Sequence, residues 1–302
     1  MIIAGIGQGL LWAGLAIGVF LTYRILDIPD LTAEGSFPLG AAITISMLTQ
    51  GHNVIAATMA GFLAGCLAGV VTGILDTIFH IPSLLAGILT MTGLYSVNIH
   101  IMGRANIALT TEKVLTNYLP ANWDLNWQTV IIGVLIDVVI VAVLWWYFQT
   151  NNGLSLTTVG NNPIMSAANG ISVNAMTIIG YAISNGLIAL SGSLVAQSNG
   201  FADIGMGVGT IVIGLASVLA GEIFLRSRKM WLRLSAMVVG AVVYRLLLTI
   251  AMSWGINPND LKIMSAFILV VVIVLPLWQA KLSHRRQLQK YFHQLEEGNT
   301  HE

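Results

Sequence analysis

Charge is what this 302-residue sequence has least of. Only 9% of its residues are Asp, Glu, Lys or Arg, where a soluble domain carries about a quarter. With 56% hydrophobic residues, a soluble fold would lack the polar surface needed to cover its core. Basic and acidic residues balance at 13 each, and no nucleic-acid partner is expected. The single cysteine, Cys66 in GFLAGCLAGVV, excludes a disulfide framework or a multi-cysteine metal site and reads as a packing residue. Six histidines are scattered at 52, 80, 100, 284, 293 and 301 without a metal-binding cluster, so no metal is expected. No G-x-x-x-x-G-K-[ST] phosphate loop occurs. GMGVGT at 205–210 lacks the lysine and a strand–helix setting, and reads as close helix packing.

Long apolar runs fill the space left by these absences. They predict an all-α, polytopic helical membrane protein with eight or nine crossings, since about 18–20 apolar residues span a bilayer. Candidate spans lie at about 6–26, 36–50, 54–79, 83–102, 128–148, 174–197, 208–225, 231–254 and 262–278. The run 36–50 is short and bordered by Gly and Pro, so it reads as re-entrant or broken. The N-terminal stretch MIIAGIGQGLLWAGLAIGVFL lacks the positive region of a cleaved signal and reads as the first span. A transmembrane domain over 1–280 and a polar tail over 281–302 complete the organisation.

Basic residues set the expected orientation. One cluster is Arg226, Arg228, Lys229 and Arg233; the other is Lys281, Arg285, Arg286 and Lys290. Two spans separate them, and the positive-inside rule puts both, with the C-terminus, in the cytoplasm. The segment 149–173 then shares that side. The loop 103–127, with Trp123 and Trp127 suited to an interfacial belt, faces outside.

Within that cytoplasmic segment, TTVGNNPIMSAANGI at 157–171 is polar, uncharged and locally explicit. Asn162 suits an N-cap, Pro163 the first helical position and Gly170 a left-handed C-terminal residue. The result is a helix of about 10 Å, too short to span a bilayer. It reads either as a connector or as a rigid docking knob whose small residues Ser166, Ala167 and Ala168 admit a partner.

The stretch from GLSLTTVGNNPIMSAANGI through VIGLASVLAGE resembles the permease family of ABC importers for branched-chain amino acids, ribose-type sugars and nucleosides. The family's G-x-N-P-x-x-A-x-x-x-G-I element appears as Gly160, Asn162, Pro163, Ala167 and Gly170–Ile171, with Asn161 interposed. Further similar pieces are LDIPDLTAEGSFPLGAA, GEIF, YRLLLTIAM and DLKIMSA, and the likeness runs over nearly the whole chain. It is greatest to a single-permease subgroup paired with lipoprotein-type binding subunits, some of which handle tryptophan or other aromatic amino acids.

The resemblance implies a coupling helix at about 161–170 that inserts into a cytosolic ABC ATPase. Its contact residues would be Gly160, Asn161, Asn162, Pro163, Ser166, Ala167, Asn169 and Gly170. It further implies a homodimer in a bacterial plasma membrane, an extracytoplasmic binding lipoprotein, and ATP–Mg held by the partner ATPase rather than by this chain. The chain itself would be no enzyme. The expected cargo is an aromatic or branched-chain amino acid, with a sugar or nucleoside as the alternative.

Ionisable groups within spans are functional candidates because burying them is expensive. Asp137 and Arg245 qualify, as an ion pair or as the coupling site of an ion-driven secondary transporter. Asp76 and His80 share a helix face, and Glu222 is near enough to Arg226 for a local contact. The segment RILDIPDLTAEGSFPLG, with Arg24, Asp27, Asp30 and Glu34, reads as a gate or dimer-interface element. Asp27, Glu34, Ser36, Asn185, Ser191 and Gln197 are the pathway or gate candidates, with helix-to-helix bonding the competing reading. Finally, GLAIGVFLTYRILDIPDLTAEGSFPLGAA resembles GLIALSGSLVAQSNGFADIGMGVGTI, an echo that suggests an inverted repeat.

Overall fold

The computed structural model describes residues 1–109, 114–120, 123–225, 229–253, 263–267, 269–271 and 274. The helices are α1 (Ile2–Leu11), α2 (Ala13–Phe20), α3 (Ala33–Thr49), α4 (Val54–Thr77), α5 (Ser83–Met102) and α6 (Leu125–Gln149). They continue with α7 (Asn151–Asn161), α8 (Pro163–Ala168), α9 (Val173–Asn199), α10 (Thr210–Phe224) and α11 (Met230–Ser253). Two short strands, β1 (Asn106–Ala108) and β2 (Phe201–Asp203), pair antiparallel beside the ends of α5 and α9. Among the described residues, six helical stretches are long and apolar enough to cross a membrane, and α1 with α2 makes a seventh, bent by 41°. The protein is a polytopic helical membrane protein. Most of the expected ninth span, Arg226, Arg228 and the tail 281–302 lie outside the described residues.

The helix bundle is assembled on glycine. In α4, Gly61, Gly65, Gly69 and Gly73 recur every fourth residue and form one stripe. A methyl group on Gly65 would collide with Ala189 and the Asn185 carbonyl, and on Gly69 with the Tyr181 carbonyl. The α4 and α9 backbones are therefore in direct van der Waals contact, the approach that small residues allow where lipid supplies no hydrophobic drive. Hydroxyls join α4 to its other neighbours: Thr32 Oγ1, at the start of α3, and Thr72 Oγ1 lie 2.9 Å apart, and Thr72 donates to Thr90 Oγ1 of α5 at 3.0 Å.

The bend at Trp12 has a local cause. Ser191 Oγ donates to the Leu11 carbonyl at 2.6 Å, drawing on an acceptor of the helical ladder where the axis changes. Beyond α2 the chain widens into a π turn over Leu21–Ile25, and an irregular segment then leads to α3.

Pairings fix the helix directions. α2 runs antiparallel to α9, with Gly18 against Ile188 and Gly14 against Ser191. α3 runs antiparallel to α4, from Thr32 beside Thr72 to Thr44 beside Ala57, and so runs parallel to α9. α10 runs parallel to α2, with Gly214 against Val19 and Glu222 against Arg24. Thus α3 and α10 begin side by side, joined by Gly209 N–H donating to Glu34 Oε1 at 3.0 Å, and run in opposite directions. Pro38, inside α3, lacks the N–H that would bond the Glu34 carbonyl. Gly207 packs against that freed carbonyl, where any side chain would collide. The two segments compared in the sequence are therefore inverted relative to one another.

α3 has 17 residues; with the irregular segment before it, it carries the chain from one face of the bundle to the other. One face carries α7 and α8, the opposite face the two strands. On α6, Trp127 lies near one end and Trp145 and Trp146 near the other, all exposed. Their separation of about 27 Å along the helix matches the roughly 30 Å hydrocarbon layer, as an aromatic belt requires.

At the α8 face Arg24 Nε meets Glu222 Oε1 at 2.7 Å, with 53% and 28% of the two side chains exposed. Glu222 thus bonds across the fold to a residue 198 positions away; the Arg226 contact expected from the sequence involves a residue outside the described ones. An exposed pair contributes at most about 1 kcal/mol. Arg24→Ala is expected to shift the melting temperature of the detergent-solubilised protein by no more than about 2–3 °C. A larger drop would assign the pair a structural role.

Candidate functional site

The α7–α8 element is built from strong local signals. Thr150 closes the end of α6 by donating to the Tyr147 carbonyl at 2.6 Å, and its oxygen accepts Gly153 N–H at 3.4 Å to start α7. The sequence reading overlooked this second cap and with it α7. Leu156 and Val159 of α7 are buried. Gly160 lies directly on the Ile25 carbonyl, leaving no room for a side chain. Through that contact α7 abuts the end of the π turn.

Asn162 then turns the chain with extended backbone angles, and its Oδ1 accepts Met165 N–H at 3.0 Å. Pro163 opens α8. Ser166 Oγ donates to the Asn162 carbonyl at 2.9 Å, and Asn169 Nδ2 donates to the Met165 carbonyl at 2.8 Å. Gly170 adopts φ +78°, and Ile171 N–H returns to the Ser166 carbonyl at 3.1 Å. Both termini are satisfied by side chains or by backbone closure, so six helical residues hold one shape.

What α8 presents is partly different from the expectation. Ser166 is buried and belongs to the cap rather than to the outer surface. The outer surface is instead apolar: Ile164 and Met165 are 85% and 64% exposed, beside exposed Ala167, Asn169 and Gly170. Ile164 and Met165 were missed, although two large apolar residues between a cap and a stop, off the membrane, were a readable signal. Gly160 faces inward, and Asn161 is exposed where α7 meets α8.

Two routes lead from α8 into the membrane. One is covalent, through Ser172 into α9. The other runs through Gly160 to the π turn, next to the Arg24–Glu222 pair and to Asp27, which is exposed and held at φ +59°. A positive φ at a residue with a side chain is a strained conformation.

Farther in, α9 organises a polar cluster. Asn185 Nδ2 donates to Asp30 Oδ2 at 2.7 Å, and Ser36 Oγ donates to Asn185 Oδ1 at 2.7 Å. Asp30 Oδ1 accepts Thr32 N–H at 2.9 Å. The carboxylate thus lies at the start of α3, where a helix dipole favours negative charge. One turn away, Tyr181 Oη donates to Asp76 Oδ2 at 3.1 Å. Asp76 therefore takes its bond from α9; no ion pair links it to His80 among the described residues.

Asp30 was named in the sequence only as part of a charged stretch, yet it is 4% exposed and central to this cluster. Asp30→Ala leaves Asn185 and Thr32 N–H without their acceptor and is expected to cost about 2–3 kcal/mol. Asp30→Asn retains an acceptor and should cost less, and thermal unfolding of the purified variants measures the difference.

Of the other pathway or gate candidates, Ser36 and Asn185 come together here, and Glu34 bonds Gly209. Ser191 fastens α9 to α1, while Gln197 donates to Thr58 Oγ1 at 2.8 Å and accepts Leu115 N–H at 3.3 Å. Asp137 and Arg245 do not meet. The Arg245 guanidinium stacks 5.2 Å from the Trp12 ring, and Asp137 Oδ2 has no hydrogen-bond partner among the described residues.

Comparison with known proteins places this arrangement. A family model described as branched-chain amino acid transport system / permease component matches residues 1–275. A tyrosine transport system permease protein of Clostridioides difficile (strain R20291) is 39% identical over 272 residues, 90% of each chain. An uncharacterized protein of Rickettsia prowazekii (strain Madrid E) is 34% identical over 277 residues, 90% of this chain and 96% of the other. Among solved structures, an inward-facing metal-chelate type ABC transporter shares the fold with a TM-score of 0.52 at 17% identity, covering 91% of this chain and 85% of that one. The rigid α8 between α6 and α9, the polytopic bundle and these matches over nine-tenths of the sequence converge: the chain belongs to the branched-chain amino acid transport system permease family.

Proposed function

We propose that this chain is the membrane-spanning subunit of an ATP-driven importer for an amino acid, with an aromatic side chain the leading candidate. The α8 face is cytoplasmic in this reading, as is the C-terminal tail, in a bacterial plasma membrane. The described members of the first basic cluster, Lys229 and Arg233, lie at the start of α11 on that face, in keeping with the positive-inside rule. Two copies form the pathway, a binding lipoprotein supplies the solute from outside, and cytosolic ATPase subunits hold ATP–Mg and hydrolyse it. This chain contributes no catalytic group.

The observation that carries the reading is α8 itself, a capped helix with an exposed Ile164–Met165 tip, seated between α9 and the end of the first span. Closure of a partner on that tip biases both elements at once, and a bias on a two-state bundle is what switches access. The preference for an aromatic amino acid rests on the 39% identity to the tyrosine transport permease.

Replacing 162–169 by a flexible Gly/Ser linker tests the assignment. An ATPase that co-purifies with the unaltered chain should be lost, and ATP-dependent uptake of tyrosine with it. Uptake that survives the linker and follows an ion gradient after ATP depletion would overturn it.

A further inference from the structure

A second feature lies away from α8, on the perimeter of the bundle. Between α6 and α11, capped at its inner end by Leu10 of α1, is a cavity of about 640 Å³. Its walls are aliphatic, with Val138 and Val141 from α6 and Val239 from α11, and Trp145 and Trp231 stand at the end nearer the α8 face. Several of these side chains are roughly half exposed, so the cavity opens outward on the surface that meets lipid. Ser235, whose hydroxyl is the only one in the wall among the described residues, already donates to the Trp231 carbonyl.

Into this apolar space faces one ionisable group. Asp137 is 4% exposed, and its Oδ2 has no hydrogen-bond partner among the described residues. No basic side chain lines the cavity among the described residues. A lone carboxylate at the middle of a membrane helix is costly, and the cost is offset when a cation with its own apolar covering occupies the cavity. We propose that the α6–α11 cavity binds a compact hydrophobic amine, its ammonium on Asp137 and its apolar body between the two tryptophans.

Three observations select that ligand class. Asp137 precedes Trp145 by two helical turns, about 12 Å along α6, so the ammonium must sit deep in the hydrocarbon. A phospholipid amine cannot place its headgroup there while its tails stay in the bilayer. An amino acid would bring a second carboxylate beside Asp137 with no cation to meet it, so the cavity is distinct from any amino-acid pathway. The indole faces and the cavity volume suit an aryl ring on a short alkylamine, within the range of small-molecule sites.

The test uses the full-length protein in nanodiscs and 2-(4-bromophenyl)ethylamine, whose bromine quenches nearby indoles. Saturable quenching is expected, lost in the Trp145→Phe/Trp231→Phe double variant. Asp137→Asn should weaken binding at least about tenfold, the loss of one buried charge pair. Ala142→Phe, which fills the cavity from its wall and leaves Asp137 in place, should abolish saturation even if Asp137→Asn fails to fold. The neutral 2-(4-bromophenyl)ethanol and zwitterionic 4-bromophenylalanine should show no saturable component. Equal saturation by the alcohol, or unaltered binding in Ala142→Phe, would overturn the assignment. So would equal competition by dodecylamine, which would mark a lipid-type site instead.

Discussion

Substituting Asp for both Ile164 and Met165 is expected to reduce ATP-dependent uptake at least about a hundredfold, with the amount of folded protein in the membrane unchanged. The two side chains are 85% and 64% exposed, so no packing within this chain is lost. The α8 backbone is secured by Asn162, Ser166 and Asn169, none of which is altered. Apolar anchors seated in a partner's pocket typically contribute 2 kcal/mol or more each. Two carboxylates forced into such a pocket add a desolvation cost. A hundredfold loss corresponds to about 2.7 kcal/mol, well inside that range.

A control separates contact from shape. Asn162→Ala removes the N-cap at a cost of about 1 kcal/mol while leaving the apolar tip, and should reduce uptake only severalfold. The readouts are uptake in cells and recovery of the ATPase with the tagged chain. Uptake within threefold of the parent in the double Asp variant would refute the docking role of the tip. A loss of folded protein would show instead that these residues belong to the fold.

The largest effect on the fold itself is expected from a single methyl group. Gly69→Ala places that methyl against the Tyr181 carbonyl, with the Ala182 backbone next to it. Backbone cannot rotate away as a side chain can, so α4 and α9 must separate. Separation opens the whole seam from Gly61 to Gly73, where Gly61 lies against Ser193, Gly65 against Asn185 and Ala189, and Gly73 against Ile178. Overpacking of this kind costs about 1–3 kcal/mol and more where backbone must move.

We therefore expect at least about 3 kcal/mol for Gly69→Ala, read as a melting-temperature drop or as loss of monodisperse protein. Gly93 of α5 supplies the contrast, because nothing lies near the position its methyl would take. Gly93→Ala should be neutral or slightly stabilising, since alanine is the better helix former. If the two variants melt together, close α4–α9 packing does not hold the bundle.

The capped helix was readable because each of its signals is local. Asn162 accepts from Met165, three residues on, and Gly170 closes its own turn, so neither depends on the rest of the molecule. The spans were readable for a similar reason: twenty apolar residues need a hydrocarbon surrounding wherever they pack. The orientation of α8 on its axis was not readable. Ser166, one of three small residues expected outside, is turned inward by α9 and its own cap, and Ile164 and Met165 take the outer surface.

The intramembrane charges divide in the same way. Their presence and cost follow from hydropathy alone, and so did the choice of 24–40, with its charges and two prolines, as a special segment. Their partners did not follow. Among the described residues Glu222 meets the distant Arg24, Asp76 meets Tyr181 rather than His80, and Asp137 and Arg245 remain apart.

By itself, then, the sequence determined the class of protein, the positions of seven apolar spans among the described residues, the caps of α8 and a resemblance that the family match bears out. These properties depend on composition, periodicity and neighbours within four residues. Only the tertiary structure decided that α3 and α10 start together and diverge, that Asp30 is held by Asn185 from 155 residues away, and that Asp137 faces an open cavity. Helix-to-helix partners are chosen by which backbones glycine lets approach, and that choice is made between segments far apart in the chain.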